Sequence, residues 1–194
     1  MKETLARYIS NIFNPFVVGI VVLTLLALRD VADIKRAMEW VLISIVLSIV
    51  PVFVAVVCLV RFKKLDSFFS NPREQRTTVY ILASVLGAVD CGLFWYIKAP
   101  ELLIATFTAG LIAVVAFMVV NYFWKISLHM AFVSAAAVVL IIIYGANAAW
   151  SLVLLPAMGW ARITLSQHSL WQVIAGGSLA VVIVSGVFWG FTVI

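Results

Sequence analysis

The sequence has few charged residues and almost no extended polar stretch. Only 11% of its 194 residues are charged and 65% are apolar, with a mean hydropathy of +1.20. A soluble domain usually has about 25% charged residues. This composition argues against a soluble enzyme and predicts an integral membrane protein. The net charge of +5 fits loops that face anionic headgroups, and no basic–aromatic pattern indicates nucleic-acid binding.

Cysteine and histidine are equally scarce, with two residues of each. Cys58 and Cys91 lie in apolar segments that we expect to place them near opposite membrane faces, so no disulfide is predicted. Neither cysteine has metal-ligand spacing with a histidine, so neither predicts a metal site. The polar start "MKETLARYIS" lacks a secretory cleavage pattern, which predicts that the first apolar segment is retained as a span.

Seven apolar segments approach the roughly 20 residues that a transmembrane helix needs. They cover residues 8–28, 38–60, 77–97, 100–121, 128–146, 148–160 and 169 to near the C-terminus. The first and sixth segments have the weakest pattern. We therefore predict an all-α, polytopic membrane helix bundle of six or seven spans, forming a single domain over residues 1–194.

The polar residues between these segments fall on predictable sides of the membrane. If all seven helices cross, two helices separate the loop 61–76 from the turn at Lys125, and two more separate that turn from residues 162–168. An even number of crossings returns the chain to the same face. Three distant pieces of sequence are therefore expected to meet at one membrane surface, on the side of the N-terminus.

These pieces supply cations, a hydroxyl and both histidines of the chain. The candidate residues are Arg73, Arg76, Lys125, Ser127, His129, Arg162, His168 and Gln172. Arginine binds phosphate oxygens bidentately and lysine adds a point charge, so the set suits a phosphate ester. One histidine can attack phosphorus while the other protonates the leaving oxygen. Gln172, four residues after His168 at the start of a helix, can orient that ring.

The same pieces resemble three motifs of the type 2 phosphatidic acid phosphatase (PAP2) superfamily. Arg162, five residues and His168 resemble its third motif, Ser-Arg, five residues, His, three residues, Asp. Lys125-Ile-Ser-Leu-His129 resembles the second motif, Pro-Ser-Gly-His. Pro72-Arg-Glu-Gln-Arg76 resembles the first, Lys, six residues, Arg-Pro. The resemblance covers residues 73–172, about half of the chain.

The resemblance implies a PAP2-like helical core and a metal-independent phosphatase that needs no metal site and no cofactor. His168 would attack phosphorus and form a phosphohistidine. His129 would protonate the leaving group and then activate the water that releases phosphate. The phosphoryl oxygens would be held by Arg162, Ser127, Arg76 and either Lys125 or Arg73.

The chain departs from the family pattern at several positions. Gln172 stands where the family has aspartate, and a neutral amide stabilises a protonated histidine less than a carboxylate does. Phe69 stands where the first motif has lysine. Ile126, Leu128 and Ala161 replace proline, glycine and serine of the other motifs. These changes predict slower turnover, a shifted pH profile or weaker phosphate binding.

The predicted function is therefore hydrolysis of a phosphomonoester or diphosphate on a lipid, of the phosphatidate, phosphatidylglycerophosphate or polyprenyl diphosphate type. One alternative is a non-hydrolytic relative that binds a phospholipid or transfers the phosphoryl group. Another is a proton-coupled transporter in which Asp90 joins the histidines and Arg162 as a relay. The absence of a sequence repeat argues against a transporter.

The distribution of basic residues gives a weak orientation signal. Nine of them lie on the side of the N-terminus and four on the other side: Lys2, Arg7, Arg61, Lys63, Lys64, Arg73, Arg76, Lys125 and Arg162 against Arg29, Lys35, Arg36 and Lys98. The positive-inside rule then places the site on the cytoplasmic face, and we expect a prokaryotic cell membrane. Without the four candidate phosphate ligands, the balance is five to four.

Overall fold

The computed structural model describes residues 1–67 and 72–191. Over these residues the chain is helical and has no strand, which confirms the predicted all-α class. The α-helices are α1 (Lys2–Ile12), α2 (Pro15–Asp30), α3 (Ile34–Ser44), α4 (Val50–Arg61), α5 (Arg73–Tyr96), α6 (Glu101–Phe123), α7 (Leu128–Tyr144), α8 (Leu154–Thr164) and α9 (Leu170–Gly190). A π-helical turn, Ile45–Ile49, joins α3 to α4, and a 3-10 helix, Gly145–Val153, joins α7 to α8.

Several of these helices are long and apolar enough to cross a membrane, as expected of a membrane protein. In the described residues there are five such stretches: Ile34–Arg61, Glu74–Tyr96, Glu101–Phe123, Leu128–Thr164 and Leu170–Gly190. The bent pair α1 and α2 would make a sixth. The predicted fifth and sixth segments, 128–146 and 148–160, fall together within the stretch Leu128–Thr164. A count of six or seven spans stays a prediction.

The first predicted span, 8–28, is not one continuous helix. The chain breaks after Phe13, and the axes of α1 and α2 differ by 42°. The side-chain oxygen of Asn14 accepts hydrogen bonds from the backbone N–H groups of Phe16 and Val17, at 3.0 and 3.1 Å. Asn14 thus acts as a helix cap, and Pro15 follows at a position where its missing N–H costs nothing. The local capping signal therefore divides the apolar segment.

The chain forms two compact units. The first unit contains Met1–Val22 and Ile126–Ile194, and the second contains Leu23–Lys125. The first unit holds α1, the beginning of α2, and α7 to α9. The second holds the remainder of α2 and α3 to α6.

In the first unit, α9 packs along α7, and both helices start at the same end of the pair. The contact is close because α9 carries two adjacent glycines. A Cβ atom on Gly176 would lie only 2.6 Å from the backbone oxygen of Ser127, and one on Gly177 would lie 2.9 Å from Oγ of Ser134. Small residues let helix backbones approach in this way in membrane proteins.

The chain reverses direction between α7 and α8. Gly145 ends α7 with φ 65° and ψ −150°, a conformation that side chains rarely adopt. After the 3-10 helix, α8 packs against α7, α9 and α1. Gly159 of α8 faces Val173 of α9, whose Cγ1 would lie 3.3 Å from an added Cβ. This return places the end of α8 beside the beginning of α9.

In the second unit, α5 and α6 form a hairpin around a tight turn. Lys98 has φ 52°, and the N–H of Ala99 donates to the carbonyl of Phe94 at 3.0 Å. The carboxylate of Asp30 accepts from the N–H of Leu102 at 3.0 Å and so caps α6. The buried Asp90 of α5 lies near the hydroxyl of Ser48 in the π-helical turn. These polar contacts tie the apolar helices of the unit together.

Candidate functional site

The spacing of Arg162 and His168 follows from how α8 ends. Ser166 adopts φ 53°, its N–H donates to the carbonyl of Ile163 at 2.9 Å, and the N–H of Gln167 donates to the carbonyl of Arg162 at 3.1 Å. These two bonds form a Schellman motif, in which a left-handed residue reverses the chain after a helix. Arg162 therefore lies in the last turn of α8, and His168 follows the reversal.

His168 directly precedes the cap of α9. The hydroxyl of Ser169 accepts from the N–H of Gln172 at 3.4 Å, and Oε1 of Gln172 accepts from the N–H of Ser169 at 3.1 Å. This reciprocal pair is a capping box. The same Oε1 lies 3.2 Å from Nδ1 of His168. An amide oxygen only accepts, so Nδ1 carries the proton in this hydrogen bond and the ring's lone pair is on Nε2.

The second histidine lies in the first turn of α7. Ser127 is the N-cap of that helix, and its hydroxyl accepts from the N–H of Met130 at 3.4 Å. His129 follows two residues after the cap and is 4% exposed. The sequence "KISLH" therefore folds as an extended entry, a serine cap and the first helical turn.

One backbone hydrogen bond joins the two histidine-bearing segments. The N–H of Ser127 donates to the carbonyl of Gln172 at 3.2 Å. Two distant pieces of sequence that were expected to share a membrane surface therefore meet at one end of the α7–α9 pair. The N-terminal ends of both helices lie there, and helix N-termini favour anions.

Arg162 is deeply buried in this unit, with 1% of its surface exposed. It is the only charged residue from Ile126 to the C-terminus, and the only acidic residue of the first unit is Glu3, which is exposed. A buried guanidinium is costly unless an anion or several hydrogen bonds compensate for lost water. Phosphate oxygens are acceptors that a guanidinium binds well, so Arg162 stays a candidate phosphate ligand.

Ser10 of α1 was not among the sequence candidates. Nη1 of Arg162 donates to Oγ of Ser10 at 2.8 Å, and the serine is 4% exposed. The two residues are 152 positions apart, so no local spacing indicates their contact. The sequence feature that could have indicated Ser10 is its spacing from Ala6. The two small residues are four positions apart and so form a packing face on a short helix.

The remaining sequence candidates belong to the second unit. Arg76 is buried in α5, where its side chain interacts with that of Tyr80 one turn away. Lys125 is half-buried in the connection that leads into α7. Arg73 begins α5, and its side chain, like Phe69, lies outside the described residues. The proposed contacts of these three cations with phosphate stay predictions.

Among residues 1–67 and 72–191, no group of three or more His, Cys, Asp or Glu side chains is placed to hold a metal ion. Cys58 and Cys91 are both free thiols. No family model, curated protein or solved structure matches the chain.

Proposed function

We propose that the protein is an integral-membrane lipid phosphatase that works through a phosphohistidine on His168. The hydrogen bond between Ser127 and Gln172 is the observation that carries the proposal, because it unites the two histidine segments at one end of a helix pair. The buried Arg162 in the adjacent turn supports a phosphate as the ligand. The resemblance of these segments to PAP2 motifs supports the type of reaction.

The tautomer of His168 suits nucleophilic attack. With its Nδ1 proton held by Gln172, the lone pair on Nε2 attacks phosphorus, and the bond from phosphorus to the lipid oxygen breaks. His129 gives its proton to that oxygen. The product is the free lipid alcohol, or the lipid monophosphate when the substrate is a diphosphate, with the phosphoryl group on His168.

The second half of the reaction restores the enzyme. His129, now neutral, accepts a proton from water as that water attacks phosphorus, and the bond from phosphorus to Nε2 breaks. Inorganic phosphate leaves, and both histidines return to their first protonation state. Arg162 and the positive ends of α7 and α9 stabilise the charge on the phosphoryl oxygens in both steps.

A lipid is favoured over a soluble phosphate ester because of what surrounds these residues. Apart from the candidate residues, α7 and α9 are almost wholly apolar, and both qualify as part of membrane-spanning stretches. Trp160 and Trp171, close in sequence to Arg162 and His168, are exposed. Exposed tryptophans are typical of the headgroup level of a bilayer. An amphiphile can place its phosphate at this level and its tails in the hydrocarbon.

Phosphate release from a lipid panel by the purified protein in nanodiscs tests the proposal. The panel contains phosphatidate, phosphatidylglycerophosphate and a polyprenyl diphosphate. We expect His168→Ala to lower kcat by about 10³-fold or more, as loss of a catalytic nucleophile does. Thr164→Ala, in the same turn, is the matched control and is expected to keep wild-type turnover. Turnover that survives His168→Ala would exclude the histidine nucleophile.

The role of Arg162 is tested with a matched arginine. Arg162→Ala removes the guanidinium in the last turn of α8, whereas Arg29→Ala removes an exposed one in the last turn of α2. Only the first is expected to impair turnover. Saturable binding of orthovanadate without phosphate release from any lipid would instead favour the non-hydrolytic alternative.

A further inference from the structure

Helix α1 has three distinct faces although it contains only 11 residues. One face carries the exposed apolar side chains Leu5, Tyr8 and Ile12, and another carries the exposed polar side chains Glu3, Arg7 and Asn11. Between them lies a narrow buried face made of Ala6 and Ser10. An amphipathic helix with separate apolar and charged faces is typical of a segment that lies in the plane of a membrane interface.

The break at Asn14 and Pro15 gives α1 its own direction. The 42° bend separates α1 from α2, and α1 is about 16 Å long at 1.5 Å per residue. This length is well short of a hydrocarbon core of roughly 30 Å. Burial of Glu3 and Arg7 in hydrocarbon would also be costly. Both features favour a surface position, with the apolar face towards the acyl chains and the charged face towards water and headgroups.

The buried face of α1 reaches the candidate phosphate ligand. Helix α1 packs against α8, and Ser10 accepts the hydrogen bond from Nη1 of Arg162 at 2.8 Å. A guanidinium carries its N–H donors in a rigid plane, so the bond to Ser10 constrains the orientation of that plane. Ser10 is therefore placed to position Arg162 rather than to contact the reacting atoms.

We propose that α1 is an interfacial helix that binds the phospholipid surface and positions the guanidinium of Arg162 through Ser10. Through this contact, the position of α1 in the membrane interface would affect the affinity of the site for phosphate. This inference rests on the proposed function, since it assumes that Arg162 binds the phosphoryl group. It adds a membrane-binding surface and a positioning residue that the sequence motifs do not include.

The first experiment removes the Ser10 hydroxyl. Ser10→Ala is expected to weaken orthovanadate binding and to raise KM for the lipid substrate by about 3- to 10-fold, as loss of a hydrogen bond to a charged group does. We expect kcat to change by less than about threefold, because the variant keeps the guanidinium and both histidines. Ser10→Thr keeps the hydroxyl and is expected to restore part of the affinity. Thr4→Ala, which removes an exposed hydroxyl from the same helix, is the matched control.

A second experiment tests the surface position independently of catalysis. Nitroxide labels are attached at Leu5→Cys or Arg7→Cys, in a protein whose Cys58 and Cys91 are serine, and the protein is placed in nanodiscs. The label at position 5 is expected to be relaxed preferentially by oxygen, and the label at position 7 by a water-soluble nickel complex. Equal exposure of both labels to the nickel complex would overturn the interfacial placement. This readout does not require Ser10 variants to fold.

The outcomes separate this inference from the proposed function. Weaker vanadate binding in Ser10→Ala but not in Thr4→Ala, at an unchanged melting temperature, supports the positioning role. Normal affinity and KM in Ser10→Ala would overturn it while the phosphatase proposal stands. A wild-type protein that neither binds vanadate nor releases phosphate would overturn the proposed function, and the role of Ser10 with it.

Discussion

The helix pairs α7–α9 and α5–α6 are both long and apolar, but they use glycine differently. Gly176 and Gly177 of α9 lie where any side chain would meet α7. In the α5–α6 pair, Gly87 has only ordinary contact with Leu111, and an added Cβ at Gly92 or Gly110 would have no neighbour within 4 Å. Gly92 and Gly110 therefore do not mark a close approach of α5 to α6. Composition alone does not distinguish glycines that permit close approach from glycines that do not.

The candidate site lies at the helix pair whose glycines permit close approach. Close approach of α9 to the start of α7 brings the carbonyl of Gln172 to the N–H of Ser127. The α5–α6 pair is instead joined by side chains, such as Cys91 Sγ and Thr108 Oγ1 at 3.5 Å. The pair that carries both histidines is thus the pair with backbone contact.

Among the changes that test the comparison between these two helix pairs, the largest effect is expected from breaking this contact. In Gly176→Ala the new Cβ would lie 2.6 Å from a backbone oxygen, which cannot rotate away, so α9 must shift from Ser127. Overpacking of this kind costs about 1–3 kcal/mol. We expect a lower melting temperature and at least a tenfold loss of lipid phosphatase activity.

Two glycines serve as controls for that variant. Gly186→Ala, in the same helix, and Gly110→Ala, in α6, would meet no atom within 4 Å and are expected to leave stability and activity unchanged or slightly raised. A Gly176→Ala protein as stable and active as these controls would show that backbone contact in the α7–α9 pair is dispensable.

An intermediate effect is expected at Gln172, where the α7–α9 pair meets the candidate nucleophile. Gln172→Glu keeps an acceptor for the capping box and for Nδ1 of His168 and adds a negative charge, which stabilises the imidazolium that forms. We expect kcat to rise about 2- to 10-fold. Gln172→Leu, of similar size, removes the acceptor and is expected to lower kcat by about 3- to 10-fold.

The contrast between these two variants can be read from the pH profile of kcat. A profile that is identical in the wild type and in Gln172→Glu would contradict a direct electrostatic contact with His168. A fall in kcat for Gln172→Leu without a change in melting temperature would separate orientation of the ring from capping of α9.

The smallest effect is expected at the turn between α8 and α9 and at the turn between α5 and α6. Ser166 and Lys98 are both non-glycine residues in the left-handed conformation, with φ of 53° and 52°. Ser166→Gly and Lys98→Gly each relieve steric cost but add freedom to the unfolded chain, and a net gain of about 0.5 kcal/mol is expected. Thermal unfolding measures it. If Ser166→Gly lowers turnover while Lys98→Gly does not, a rigid turn between α8 and α9 is needed for activity as well as for stability.

Much of the fold and part of the candidate site were accessible from the sequence. The helical class and most long helices follow from runs of apolar residues, because backbone groups in a bilayer must be satisfied within the segment. His168 and Gln172 were expected to share a face, and they form a hydrogen bond. The division of the first span was missed because its apolar run masks the cap formed by Asn14 and Pro15.

The sequence by itself determined the chemistry that this protein can offer: two histidines, one isolated arginine and a serine cap in an apolar chain. Local rules also determine the turn between Arg162 and His168, since Schellman and capping motifs extend over only a few residues. The tertiary structure decided which of these groups meet. Ser10 reaches Arg162 across 152 residues, and Ser127 reaches Gln172 because two glycines let α9 approach α7. Such contacts depend on how helices pack, which the periodicity of any single segment does not specify.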